Sequence, residues 1–305
     1  RKHKVHTILF FIALVANCGG LLTPLGDPPL FMLYLRGVPF TWFLQLFPEW
    51  LFVGTVLLML YFAVDTFYYK REHSQAKEMD RLEHRALELS GKINFLYLVG
   101  VVVAVALVNE SYIPAMAKAD ASIWMVHLRD IVLLVLTGLS LLTTSKEIRY
   151  EKNKFSWMPI TEVAILFLGI FVTMTPVLEY LRVHAASLGL NEIWQFYYTT
   201  GTLSSFLDNT PTAVAFHSVA LGLPADQLAS YGGEIVAGVP SMLLRAISLG
   251  SVMFGAMTYI GNGPNFMVKA IAERRGIKMP SFFGYMIFSL GVLLPVYMLV
   301  QLIFL

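Results

Sequence analysis

The sequence is short of charge and almost free of cysteine. Charged residues make up 14% of the 305 and hydrophobic residues 57%, with a mean hydropathy of +0.66. A soluble domain carries roughly a quarter charged residues, so composition alone argues against one. Cys18 is the only cysteine, which excludes an internal disulfide and a thiolate metal cluster. The seven histidines show no metal-ligand spacing. A net charge of +2 gives no electrostatic basis for a nucleic-acid partner, and none is expected. Repeated segments of about 10 residues with alternating polarity, the mark of a membrane barrel, are also missing. The opening Arg1-Lys2-His3-Lys4 has neither an initiator Met nor a signal-peptide pattern, which leads to the expectation of a further N-terminal portion.

What is present is apolar sequence in long runs. Residues 50–64, 93–108, 160–178 and 282–305 hold at most one charged group each. A helix needs roughly 20 mostly apolar residues to cross a bilayer, so the expected fold class is an all-α polytopic membrane protein whose medium is the lipid bilayer. Most of the 22 Lys and Arg fall in four clusters, at 1–4, 70–92, 146–154 and 269–278. The positive-inside rule puts all four on the cytoplasmic face if residues 191–222 enter and leave by the same side, as a re-entrant hairpin.

Three polar interruptions break the apolar sequence. The run 7–22 stops at Thr23-Pro24-Leu25-Gly26-Asp27-Pro28-Pro29 and resumes to Leu35; three prolines and a glycine cannot continue a helix. The hairpin is cut by Ser204-Ser205-Phe206-Leu207-Asp208-Asn209-Thr210-Pro211-Thr212. A segment from 234 to 271 breaks at Thr258-Tyr259-Ile260-Gly261-Asn262-Gly263-Pro264-Asn265. The first and third align without gaps: Thr23, Gly26, Pro29, Phe31 and Met32 face Thr258, Gly261, Pro264, Phe266 and Met267, and Asp27 faces Asn262. The topology runs them in opposite directions, so the expectation is an inverted repeat. Unwound backbone in hydrocarbon leaves polar groups unsatisfied and survives only where it lines a cavity or binds something. Paired broken helices point to a transporter's midplane site.

The expected organisation is therefore 1–69, the end of a first repeat with broken, interfacial and spanning helices; 70–92, a cytoplasmic amphipathic segment; 93–190, scaffold helices of a second repeat; 191–230, the re-entrant hairpin; and 231–305, the second broken helix and a last span. Within it Asp208 reads as a site residue, since an intramembrane carboxylate is costly and usually functional; its plain alternative is a helix cap. Ser204, Ser205, Asn209, Thr210 and Thr212 supply oxygens beside it. Asp27, with a similar alternative as an N-cap, joins them, as do Thr23, Asn17, Thr258, Asn262 and Asn265. Na+ is expected at Asp208, Asn209 and Asn262. Arg245 reads as a structural ion-pair partner, and His217 as packing.

Ala16-Asn17-Cys18-Gly19-Gly20 with Thr23 to Pro29, the 204–212 motif and Tyr259 to Asn265 together resemble the ion transporter superfamily. That superfamily includes sodium/proton antiporters and arsenite and citrate carriers, and the group of citrate transporters and sodium/proton antiporters is the most similar. The resemblance covers most of the chain. It implies a first-half hairpin ahead of residue 1, a homodimer with scaffold and transport parts, and no cofactor beyond the transported Na+ or H+. The expected function is alternating-access secondary transport, with sodium/proton antiport leading and ion-coupled organic anion (citrate or dicarboxylate) transport as the alternative. The expected location is multi-pass in a bacterial inner membrane. An intramembrane aspartyl protease built on Gly26-Asp27 is the rival from another class, since two aspartates sharing a proton are needed there; a channel is a further one.

Overall fold

The computed structural model describes residues 3–75, 77–78, 89–110, 112–118 and 120–305. Its elements in chain order are α1 (Val5–Leu14), α2 (Pro28–Leu35), α3 (Phe40–Phe43), α4 (Phe47–Lys70), α5 (Ile93–Leu107), α6 (Ile123–Val126), α7 (Leu128–Thr143), α8 (Met158–Val183), α9 (Ile193–Phe206), α10 (Asn209–Leu221), α11 (Ala225–Ser230), β1 (Ile235–Val236), β2 (Val239–Pro240), α12 (Ser241–Phe254), α13 (Gly263–Arg274), α14 (Phe282–Phe288) and α15 (Leu294–Phe304). The chain divides into two compact units, one of residues 1–83 with 170–305 and one of residues 84–169.

The larger unit holds all three polar interruptions. Its core is built from α2, α3, α4, α9, α10, α12 and α15, with Phe43, Leu57, Tyr197, Leu243 and Tyr297 fully enclosed. A second cluster joins α1 to α13 through Leu9, Ile12 and Ala272. Because α1 runs toward its break while α13 runs away from its own, these two half-helices pack antiparallel. The other halves, α2 and α12, also touch, so the two broken helices lie side by side in opposite directions. Phe40–Lys70 and Phe282–Phe304 are each long and apolar enough to cross a membrane. Leu58, Met59, Phe62, Phe283, Ile287 and Leu302 stand exposed on them, which is the surface a helix presents to lipid.

Several helix ends fall away from their expected places. The helix expected to reach residue 22 stops at Leu14, because the Asn17 side chain donates to the Ile12 carbonyl at 2.8 Å and takes over a backbone acceptor. The segment expected to be helical from 234 begins instead at Ser241. Gly232, Gly233 and Gly238 there adopt positive φ, and residues 235–240 form a short antiparallel hairpin that pairs Ile235 with Pro240 and Val236 with Val239. The amphipathic segment expected at 70–92 falls largely outside the described residues.

In the smaller unit α5 ends at Leu107, at the close of the apolar run 93–108. The Asn109 side chain donates to the Ala106 carbonyl at 2.8 Å, and Pro114 opens a separate 3-10 turn. α5 packs along α7, clamped at one end by Asn94, which donates to Thr144 at 3.0 Å and accepts from Ser140 at 2.7 Å.

Candidate functional site

The first break is held open by two glycines. A Cβ placed on Gly26 would stand 2.3 Å from the Gly20 carbonyl oxygen, and one on Gly20 would stand 2.5 Å from the Gly26 oxygen. Only two glycines allow this approach. The chain then extends through Asp27, with φ −149° and ψ 138°, and enters α2 on Pro28 and Pro29.

The second break repeats this geometry. A Cβ on Gly261 would meet the Gly255 carbonyl oxygen at 2.7 Å and the Ser204 carbonyl oxygen at the same distance. Asn262 has φ −151° and ψ 136°, and Pro264 stands in the first turn of α13. Gly20 and Gly26 thus occupy the same places as Gly255 and Gly261, which extends the sequence match of the two breaks by one residue pair. Thr258 fixes the second loop: its hydroxyl donates to the Ser205 carbonyl and accepts the Gly261 N–H at 3.1 Å.

The two aspartates differ in what surrounds them. Asp208 caps α10 by accepting the Thr210 N–H at 2.9 Å, while Thr212 donates to the Asp208 backbone carbonyl at 2.9 Å. Asp27 stands at the equivalent position of α2 but caps nothing with its side chain. The reason is chemical: Pro28 and Pro29 have no N–H to offer, and the Leu30 N–H is taken by the Asp27 backbone carbonyl at 3.1 Å. The Asp27 carboxylate, 5% exposed, instead accepts the Asn209 side-chain amide at 3.1 Å, with Asn262 and Asp208 beside it.

Amides complete the cluster. Asn17 donates to the Asn265 side-chain oxygen at 2.8 Å, and its own oxygen accepts from Asn262 at 3.1 Å. Asn265 donates to the carbonyls of Gly255 at 2.7 Å and Thr258 at 2.9 Å, the backbone groups released where α12 ends. Asn17, Asp27, Asn209, Asn262 and Asn265 are all buried and joined in this one network. The starts of three helices, α2, α10 and α13, meet at it.

The remaining expected residues lie at its edge. Ser204 donates to the Ser251 carbonyl at 2.6 Å and Ser205 to the Gly201 carbonyl at 2.9 Å, so both tie the hairpin to α12 and to itself. Thr210 reaches the Asn209 side-chain oxygen at 3.3 Å. Thr23 is half-buried, and its carbonyl closes the turn with the Gly26 N–H at 3.0 Å.

Two arginines outside the motifs matter to the same unit. Arg245 meets Glu49 at 2.5 Å, with Glu49 fully buried; no local sequence pattern links residues 196 positions apart. Arg36 donates to the Ser218 hydroxyl at 2.9 Å.

Broken helices and a helical hairpin that meet at buried polar groups in an apolar helical chain are features found in membrane transporters. Residues 1–305 match the model of the family described as putative citrate transport, and the chain belongs to that family. No curated protein and no solved structure matches it.

Proposed function

We propose that the protein is an ion-coupled secondary transporter that works by alternating access and carries a small organic polycarboxylate of the citrate type together with a cation. The observation that carries this reading is the meeting of three helix starts at one buried carboxylate. Helix N-termini carry partial positive charge, which suits the carboxylates of an anionic substrate. Asp27 with the amide oxygens of Asn209, Asn262 and Asn17 suits the coupling cation, Na+ or H+. The family's description points the same way.

Sodium/proton antiport is the second reading, favoured by the same Asp27. A buried carboxylate without a cationic partner at its side can exchange Na+ for a proton. Asp208 contributes less to that scheme than the sequence suggested, because its carboxylate is engaged in capping α10. The antiparallel broken helices support an inverted repeat, and the α9–α10 hairpin, with each arm too short to span, supports a re-entrant element whose tip lies at mid-membrane.

One comparison separates the two readings. Proteoliposomes loaded with a pH dye are given a sodium jump with and without radiolabelled citrate. Citrate accumulation that follows the cation gradient supports symport; proton movement without citrate supports antiport. Citrate uptake indifferent to every cation gradient would count against coupling.

A further inference from the structure

The smaller unit contains an open groove of ≈ 690 Å³ between α5 and α7, which the transport site does not use. Its lining changes in character from one end to the other. At the end formed by the start of α5 and the loop after α7 lie Arg149 and Lys152 with Trp157. Next come Asn94, Ser140 and Thr144, the hydroxyl and amide clamp between the helices. Beyond them the walls are aliphatic, with Leu98, Val101 and Leu136.

We propose that this groove binds one anionic phospholipid, with its phosphate at Arg149 and Lys152, its ester region at the clamp and an acyl chain along Leu98, Val101 and Leu136. The order cation, hydroxyl and amide, aliphatic wall is the order of phosphate, ester and chain in such a lipid. Arg149 is half-buried at the groove, and its Nη2 is already oriented by the Thr144 carbonyl at 3.1 Å, so its planar fork is held ready for phosphate oxygens. Lys152 shares its charge with Glu147 at 3.1 Å, so Arg149 is the main anchor. Basic pockets between membrane helices recognise anionic headgroups in this way. Trp157, 54% exposed, is of the type that settles at the headgroup level.

The test uses the purified protein in detergent, with lipid retention read by native mass spectrometry and unfolding by thermal melting. Phosphatidylglycerol is expected to be retained one per chain and to raise the melting midpoint, while phosphatidylcholine and inorganic phosphate do neither. In R149Q/K152Q, retention is expected to weaken roughly tenfold or more, with melting in plain detergent unchanged. L136W, which blocks the aliphatic end and keeps the charges, is expected to weaken it as well. Equal retention of the two phospholipids, full retention in R149Q/K152Q, or a phosphate effect equal to that of phosphatidylglycerol would overturn the proposal. So would disulfide crosslinking of two copies through F95C at the groove, since that would place a second chain there; Cys18, the one native thiol, is buried.

Discussion

The Asn209 side-chain amide donates to Asp27 Oδ2 at 3.1 Å, joining residues 182 positions apart, and Arg36 donates to Ser218 at the same separation in sequence. α2 and α10 therefore run parallel and in register, bonded at both ends. Nine residues separate the two bonds on each helix, about 13 Å at the usual helical rise. The second arm of the hairpin and the second half of the first broken helix are thus tied together, with the site at their common start.

The two aspartates should respond differently to the same change. Asp27→Asn is expected to abolish cation-coupled flux, because the carboxylate is the charged group of the network. Asp208→Asn is expected to keep substantial flux, since asparagine caps a helix about as well as aspartate. Asp208→Ala should lower stability by about 1 kcal/mol. Transport in proteoliposomes and thermal melting check the set; equal loss from both Asn variants would show that Asp208 also acts in the site.

Gly26→Ala and Gly261→Ala should each damage the break they occupy. A methyl group at either place would meet a backbone carbonyl well inside contact distance, at a cost of about 1–3 kcal/mol by overpacking, or more where backbone must move. Gly54→Ala, with open space around it, serves as the control and should melt like the parent.

Glu49 and Arg245 form a buried pair, with Glu49 Oε2 and Arg245 Nε left without hydrogen-bond partners among the described residues. Removing one member leaves a buried charge unpaired, so Arg245→Met is expected to destabilise by about 3–5 kcal/mol. The double variant Glu49→Leu with Arg245→Met should recover most of that loss. Melting curves of the three proteins decide it; a double variant no better than the single one would mean that the pair has a role beyond balancing charge.

Asn265 serves three partners, the carbonyls of Gly255 and Thr258 and the Asn17 amide. Asn265→Ala should therefore unfold the second break, with a loss of about 1–3 kcal/mol for each buried group left unsatisfied. Asn17→Ala combined with it should cost less than the two single losses added together, because they share one bond. A thermodynamic cycle on the four proteins measures the coupling, and strict additivity would contradict the shared network.

Much of this was legible in the chain, for reasons that can be named. Asp27-Pro28-Pro29 and Gly263-Pro264 state where half-helices begin, since the first turn is where proline fits a helix best. The match of Gly26 and Gly261 located both breaks. The helix ends were harder. Asn17 stops α1 through a side-chain bond within an otherwise apolar run, which hydropathy does not register. The turn at residues 232–240 needs three glycines at positive φ that composition reads as neutral. The roles of the aspartates depended on neighbours: both precede a helix, but the N–H that Asp208 caps, that of Thr210, has a proline, Pro29, at the matching place in α2. The Glu49–Arg245 pair was half visible, as an arginine in need of a partner that only the folded chain supplies.

In the proposed function, coupled substrate movement runs through the Asp27 network. Citrate uptake into proteoliposomes under imposed sodium and proton gradients, compared between the parent protein and Asp27→Asn at matched reconstitution, tests it most directly. Accumulation is expected to follow a cation gradient in the parent and to be lost in Asp27→Asn. Undiminished gradient-driven uptake by Asp27→Asn would contradict it.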